Sequence, residues 1–410
     1  MSESKGALNG LRVLDLSRVL AGPFCGQILG DLGAEVIKVE RPVVGDDGRY
    51  YGYSTIKDKD GNKTLESALF LCCNRNKKSV TVNLSKPKGQ DLVRKLAAQS
   101  DILIENYKVG DLKRYGLDYE AIKAVNPGII YCSVTGYGQT GPKAKRPGFD
   151  GLFQAEGGMM AVTGIADGQP GAGPLKAGPS LIDVFTGHNA AIAILAAVNH
   201  RRNTGAGQYI DMALIDSSIA ILSSLMQDFM LDGVTRPRVG NAASGGGPSD
   251  LLTCKDGMIY ISAGTDHWAR LCGLMKRPDL EKDPRFDTMP KRAANHYILI
   301  EIIRDWAREW TVEDLLDALN DLGLPAARYN ELKDIFKDPQ VQHRGIKVTV
   351  PHPISGTVDL IASPMAHMSQ TPADHLEAPP TLGQHTEVVL TERLGLDAQT
   401  IEALKAEGII

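Results

Sequence analysis

The 410-residue chain lacks most of the signatures that name a chemistry at sight. Its six cysteines, Cys25, Cys72, Cys73, Cys132, Cys254 and Cys272, form no C-x-x-C pair, which argues against a disulfide or zinc framework and for reduced thiols. Its nine histidines are scattered, with no H-x-x-x-H and no His/Cys cluster, so a metal site is not expected. There is no Walker lysine loop and no G-x-S-x-G elbow, and paired carboxylates of the glycosidase kind cannot be located. Neither sign of charge dominates: 45 Lys and Arg face 49 Asp and Glu, a net charge of −4, which argues against nucleic acid as a main partner. The apolar run Ala190–Val198 is too short to span a membrane, and MSESKGALNG is unlike a leader peptide. A cytoplasmic enzyme or binding protein of two or three domains is expected from this length and composition.

What is present begins with a βαβ pattern. Leu11–Leu16 reads as a buried strand, Pro23 suits a helix start, Phe24–Leu32 reads as the helix, and Ala34–Val39 as a second strand. The dinucleotide fingerprint is missing from that first turn, so Glu40, at the place of a ribose-binding acid, is discounted as a sign of a nicotinamide cofactor. The alternation continues through helix Lys86–Gln99, strand Asp101–Glu105, helix Asp118–Val125 and strand Ile129–Thr135. The fold class is therefore α/β, a Rossmann-like doubly wound parallel sheet, with ligands expected at the carboxyl edge of the strands. Asp46–Ser67 reads as a polar, irregular excursion. The basic knot Asn74–Lys78 reads either as a solvated strand end or as a phosphate clamp.

Leu175–Val198 carries one acid, Asp183, ahead of a run apolar on nearly every side, the mark of a buried helix. Asp183 falls in or beside the first turn, where free N–H groups and the helix dipole would hold it ionised. It is either a cap or a nucleophile at this stage. Ile215–Leu231 reads as a second apolar helix. Arg236–Asp250, with Gly245, Gly246 and Gly247, reads as a linker or as a lid whose amides approach a reacting oxygen. Beyond it a hairpin over Leu251–Ala263 and several helices make a smaller α+β domain. Pro364–Gln384 is irregular and long enough to wrap over another part of the surface, and His385 reads as a structural turn residue. The expected division is a large domain over 1–200, completed by about 390–410, helices over 201–235, a small domain over 236–335 and a returning linker over 336–390.

Several long motifs in order resemble the class III CoA-transferases of CaiB/BaiF type, a family that also includes the α-methylacyl-CoA racemases. They are LRVLDLSRVLAGPFCGQILGDLGAEVIKVER at Leu11–Arg41, NRNKKS at Asn74–Ser79, IENY at Ile104–Tyr107, SVTGYGQTGP at Ser133–Pro142 and LGQHTEVVL at Leu382–Leu390. The resemblance implies coenzyme A thioesters as substrates and no prosthetic group. It implies a homodimer of two interlocked rings and a transfer in which Asp183, in SLIDVFTG, carries the acyl group and then CoA. Gly245–Gly247 match the family's glycine loop by position and composition. Arg41, Lys77 and Lys78 are implied near the CoA phosphates, Asn106, Tyr107, Arg114 and Tyr115 along adenine and ribose, and Tyr137 near the pantetheine.

Two departures argue against a formyl/oxalate specialist: Leu20 and Thr135 stand where formyl-CoA transferase has Gln and Lys. The likeness is greatest to the branch that uses succinyl-CoA and other short dicarboxylic acids. A second carboxylate would want an arginine, and Arg18 and Arg49 are candidates. The racemases carry a G-H-D motif where this chain has Gly148-Phe149-Asp150, and Phe149 cannot relay a proton. A 2-methylacyl-CoA epimerase and an inactive CoA-binding subunit of a heteromeric transferase are the alternative readings.

Overall fold

The structure, a computed structural model, describes residues 6–243 and 246–410. Its contacts divide into two compact units. The first takes the chain up to Gly158, Ala177–Ser223 and Gln342–Ile410; the second takes Met159–Lys176 and Ser224–Val341.

The first unit is built on six parallel strands: β1 (Arg12–Asp15), β2 (Glu35–Glu40), β3 (Lys77–Thr81), β4 (Ile102–Glu105), β5 (Ile130–Thr135) and β6 (Gln208–Ala213). Their spatial order is β3-β2-β1-β4-β5-β6, the doubly wound arrangement. Leu14 of β1 sits opposite Ile37 of β2 and Leu103 of β4. The central strands β1, β4 and β5 are largely apolar and buried because helices cover both faces of the sheet. The helices include α1 (Ala21–Asp31), α2 (Pro87–Ala98), α3 (Asp150–Glu156) and α4 (Leu181–Thr204). Pro87 opens α2, and Leu92, Val93, Leu96 and Ala97 form its buried face. Gly187 lets α4 cross α1 closely, since a Cβ there would lie 2.8 Å from the Ala21 carbonyl oxygen. Strand order reverses between β1 and β4, and a crevice opens at their carboxyl ends.

Three stretches depart from the sequence reading. Within Asp46–Ser67 a short antiparallel pair forms, Thr55–Lys57 with Lys63–Ser67. Its turn is closed by the Asp58 carboxylate, which accepts from the amides of Asp60 and Asn62, at 2.9 and 2.8 Å. The basic knot is no clamp: Arg75 pairs with Asp31 on α1, and Lys77 with Asp15, all buried. Gly26 makes room for that second pair, because a Cβ there would lie 2.8 Å from Asp15 Oδ2. The apolar helix expected over Ile215–Leu231 is broken at Ser223, whose φ is +50°, into Leu214–Ala220 and Ser224–Asp232.

Residues 342–410 return to the first unit through a hairpin, Lys347–His352 with Gly356–Ile361, and helices Thr386–Leu394 and Ala398–Ala406. The segment between hairpin and helices has no regular structure and lies along the edge strand β3. The His385 amide donates to Ser79 O at 2.9 Å and Thr386 Oγ1 accepts from Thr81 N at 3.0 Å. The sheet edge is thus covered.

The second unit has a three-stranded antiparallel sheet of Ser249–Thr253, Met258–Ser262 and Ala326–Arg328. Helices Trp268–Leu274, His296–Ala307 and Val312–Asp321 close a core of Leu252, Ile259, Phe286, Leu299, Ile303 and Leu315. Residues 159–176, which the sequence placed in the large domain, belong here: Gly240 donates its amide to Gly164 O at 2.9 Å.

Candidate active site

The α4 helix starts without a side-chain cap of its own at Ser180. The cap comes from α3. Asp150 Oδ1 accepts from the amides of Ile182, at 2.7 Å, and Asp183, at 3.3 Å. Its other oxygen accepts from Gln154 Nε2 at 2.6 Å, and Gln154 Oε1 in turn accepts the Ala177 amide at 2.9 Å. The first-turn donors expected to hold Asp183 ionised are therefore spent on Asp150. Burial, and then the Asp150 charge, push the Asp183 carboxyl from its ordinary 3.8 up to about 7. It is poised to titrate at neutral pH. A more basic carboxylate is also a better nucleophile.

Asp183 lines a cavity of about 260 Å³ in the first unit. The wall is made by the chain leaving β1 (Arg18–Ala21), β4 (Asn106–Val109) and β5 (Thr135, Gly136), and by Ala144–Phe149. This is the strand-switch crevice. A second cavity of about 360 Å³ shares Arg18 and Tyr107 with it and is lined by Arg41, Ser85, Arg114 and Tyr115. Arg18 lies over the Tyr107 ring, 4.7 Å from its centroid, at the shared wall. Asn106 fixes that wall, accepting from Arg18 N at 2.8 Å and donating to Arg18 O at 2.7 Å.

Of the residues expected to meet CoA, Arg41, Asn106, Tyr107, Arg114 and Tyr115 come together along these two cavities. Arg41 and Arg18 share the Asp47 carboxylate, with Arg18 Nη1 at 3.1 Å. Arg114 pairs with Asp111 at 3.3 Å and stacks over Tyr115. Three of the calls fall elsewhere. Lys77 is buried and donates to Asp15, Pro23 O and Asn74, so it reaches no solvent ligand; burial pulls its ammonium below the usual lysine range. Lys78 is engaged with Glu35 at 2.7 Å. Tyr137 packs edge-on against Phe153 and donates to Glu156 at 2.6 Å, outside both cavities.

Arg49 is likewise no substrate ligand. It is 1% exposed, forked onto Glu40 at 2.7 and 2.8 Å, paired with Glu66 at 3.2 Å and set over Phe70. Glu40 is equally committed. Gly246 and Gly247 belong to the second unit, and Gly245 lies outside the described residues. Sequence reasoning missed Asp150 as the α4 cap, and it missed Lys108, Lys145 and Arg146, which line the Asp183 cavity with no ion pair among the described residues. The basic run Lys143–Arg146 directly after the β5 edge is the signal that could have found the last two.

A model of "CoA-transferase family III" matches residues 8–386. The chain is a family III CoA-transferase. It is 39% identical over 393 residues to the succinate–glutarate CoA-transferase of Agrobacterium fabrum, covering 96% of this chain and 97% of that one. It is 38% identical to the human succinyl-CoA:glutarate CoA-transferase (98% and 90% covered) and 36% identical to the succinyl-CoA:mesaconate CoA-transferase of Haloarcula hispanica (94% and 96%). Among solved structures, a CaiB/BaiF family protein from Brucella suis superposes with a TM-score of 0.84 at 39% identity, covering 95% of this chain and all of that one. As a CoA-transferase it takes coenzyme A thioesters as substrates. Phe149, in the place of the racemase histidine, lines the Asp183 cavity and offers no proton.

Proposed function

We propose that the enzyme moves CoA from succinyl-CoA to a short dicarboxylic acid through covalent intermediates on Asp183. The observation that carries this reading is the placement of a half-buried carboxyl, poised near pH 7, in the strand-switch cavity. The ionised Asp183 oxygen attacks the donor thioester carbonyl, the C–S bond breaks, and CoA leaves as the thiolate with a mixed anhydride behind it. The thiolate attacks the aspartyl carbonyl, releasing succinate and leaving an aspartyl-CoA thioester. The acceptor carboxylate attacks that thioester and expels the thiolate, which then attacks the acceptor carbonyl. A new acyl-CoA leaves and Asp183 is regenerated. One anion enters and one leaves at every step, so no proton is transferred and no general base is required. This agrees with a wall that offers Phe149 and no histidine. What the steps require is a desolvated nucleophile, positioning and donors for the oxyanion.

The paired cavities give CoA an extended course, with Arg41 and Arg114 beside the phosphates and the acyl end at Asp183. Lys145 and Arg146 supply positive charge for an acyl group that carries a second carboxylate. An interlocked homodimer is part of the same reading, supported by exposed Val43, Tyr50, Tyr51 and Tyr53 on one loop.

The test is to incubate the enzyme with succinyl-CoA and trap with hydroxylamine or borohydride. Modification is expected on the peptide bearing Asp183, and Asp183→Ala should abolish both the adduct and CoA transfer. Transfer that survives in Asp183→Ala would sink the mechanism.

A further inference from the structure

The wall of the Asp183 cavity carries a hydroxyl that bonds to nothing. Thr135 ends strand β5 and lines that cavity within the first unit. It is 9% exposed, and its Oγ1 is buried with no hydrogen-bond partner among the described residues. A buried hydroxyl without a partner destabilises a fold, and a methyl group in its place would pack without that penalty. Such a group in a cavity wall calls for a partner that arrives with the ligand. The backbone that carries it is fixed. Thr135 lies opposite Ala213 in the ladder between β5 and β6. The next carbonyl, that of Gly136, accepts from Ile215 N at 3.0 Å. A Cβ at Gly136 would lie 2.8 Å from the Phe153 ring, so the strand end is packed too closely to shift. A β-branched side chain adds little freedom of its own at χ1. Asn106, another polar side chain of the same wall, is spent on both backbone groups of Arg18.

We propose that the Thr135 hydroxyl is a catalytic hydrogen-bond donor, which binds the carbonyl oxygen of the reacting acyl group as that oxygen takes up negative charge. This rests on the proposed function, in which Asp183 in the same cavity forms the covalent intermediates. When the Asp183 oxygen bonds to the thioester carbon, the carbonyl π pair moves onto its oxygen, and that oxyanion accepts the Thr135 O–H. The carbonyl re-forms as the C–S bond breaks and the thiolate leaves. Thr135 keeps its proton throughout, so it stabilises charge without acting as an acid. A donor already in place needs no reorganisation when the charge appears. Its loss should therefore act on the rate of transfer and not on the capture of acyl-CoA.

The experiment compares wild type, Thr135→Val, Thr135→Ser and Thr135→Ala in single-turnover formation of the Asp183 adduct from succinyl-CoA, with a thermal melt of each. Thr135→Val keeps the shape and removes the hydroxyl. Its saturating rate is expected to fall about a hundredfold, while the succinyl-CoA concentration at half-saturation moves by less than about threefold. Its melting point should equal or exceed that of wild type, because a buried group without a partner has been removed. Thr135→Ser, which keeps the hydroxyl, should recover most of the rate. A Thr135→Val enzyme that forms the adduct at the wild-type rate overturns the assignment. So does a lowered melting point with Thr135→Ser as slow as Thr135→Val, because the side chain is then only packing. Should Thr135→Val fail to fold, Thr135→Ser and Thr135→Ala decide, since they differ by the hydroxyl alone: a fast Ser and a slow Ala support the role, and equal rates overturn it. Wild type that forms no aspartyl adduct would defeat the proposed function itself. Adduct formation in wild type with an unimpaired Thr135→Val would defeat only the role of Thr135.

Discussion

Asp150→Asn isolates the charge that acts on the nucleophile. The substitution keeps size and keeps an oxygen able to accept from the amides of Ile182 and Asp183, now at 2.7 and 3.3 Å, so the α4 cap survives. It replaces the other oxygen, which accepts from Gln154 at 2.6 Å, with an NH₂. That donor–donor conflict costs about 1–3 kcal/mol of stability unless the amide turns. The chemical effect lies on Asp183. Burial is the larger cause of its climb from 3.8 to about 7, and Asp150 is the second. The charge therefore accounts for less than half of the climb, and its removal should lower the Asp183 carboxyl without returning it to its ordinary value. The assay is single-turnover acylation by succinyl-CoA across pH 5 to 9. Ionised Asp183 is the attacking form, so the wild-type rate rises with pH and levels off above about 7. In Asp150→Asn the midpoint should fall below the wild-type value. The plateau should also be lower, since a less basic carboxylate is a weaker nucleophile. A midpoint that stays at the wild-type value in a folded variant would refute the electrostatic coupling.

The same raised carboxyl makes the nucleophile a stability burden above neutral pH. Its folded pKa exceeds its ordinary value, so stability is complete below about 3.8, falls as pH rises, and stays reduced above about 7. Asp183→Asn should thus be about 2–4 kcal/mol more stable than wild type at pH 8 and equal to it at pH 4; a pH-independent difference in thermal midpoint would contradict this. Arg49→Met should cost about 3–5 kcal/mol in denaturant unfolding, because Glu40 and Glu66 are left buried without their partner. Dicarboxylate KM should not change in the folded fraction, and a selective rise in that KM with unaltered stability would return Arg49 to the substrate site.

The sheet was legible because its strands are short apolar blocks separated by helix signals, and that periodicity needs no partner to be read. The cavity was legible as an edge, from the βα order alone. Charged residues were read less well. Arg49, Lys77 and Arg75 carry the same side chains whether they face a phosphate or a buried carboxylate, and only the fold shows that Glu40, Asp15 and Asp31 reach them first. Asp183 was placed at a helix start, but its protonation was misjudged, because the capping acid comes from Asp150, 33 residues earlier in the chain. A local pattern cannot show which of two acids takes a helix's free amides. Ser223 broke an apolar run without a glycine or proline to mark the place.

The path of residues 342–410 has a consequence for biosynthesis. The first unit's sheet and helices up to Ser223 could assemble early on the ribosome, but strand β3 keeps an open flank until Gly383, His385 and Thr386 emerge to bond Ser79 and Thr81. Arg49 meanwhile lacks the Pro380 carbonyl that it holds at 3.1 Å. Most of the second unit, by contrast, is one uninterrupted stretch from Ser224 to Val341. The nascent chain therefore carries a sticky, half-finished sheet through the whole translation of the second unit, and a premature stop beyond Val341 would leave the later-encoded unit whole and the earlier-encoded one unsealed.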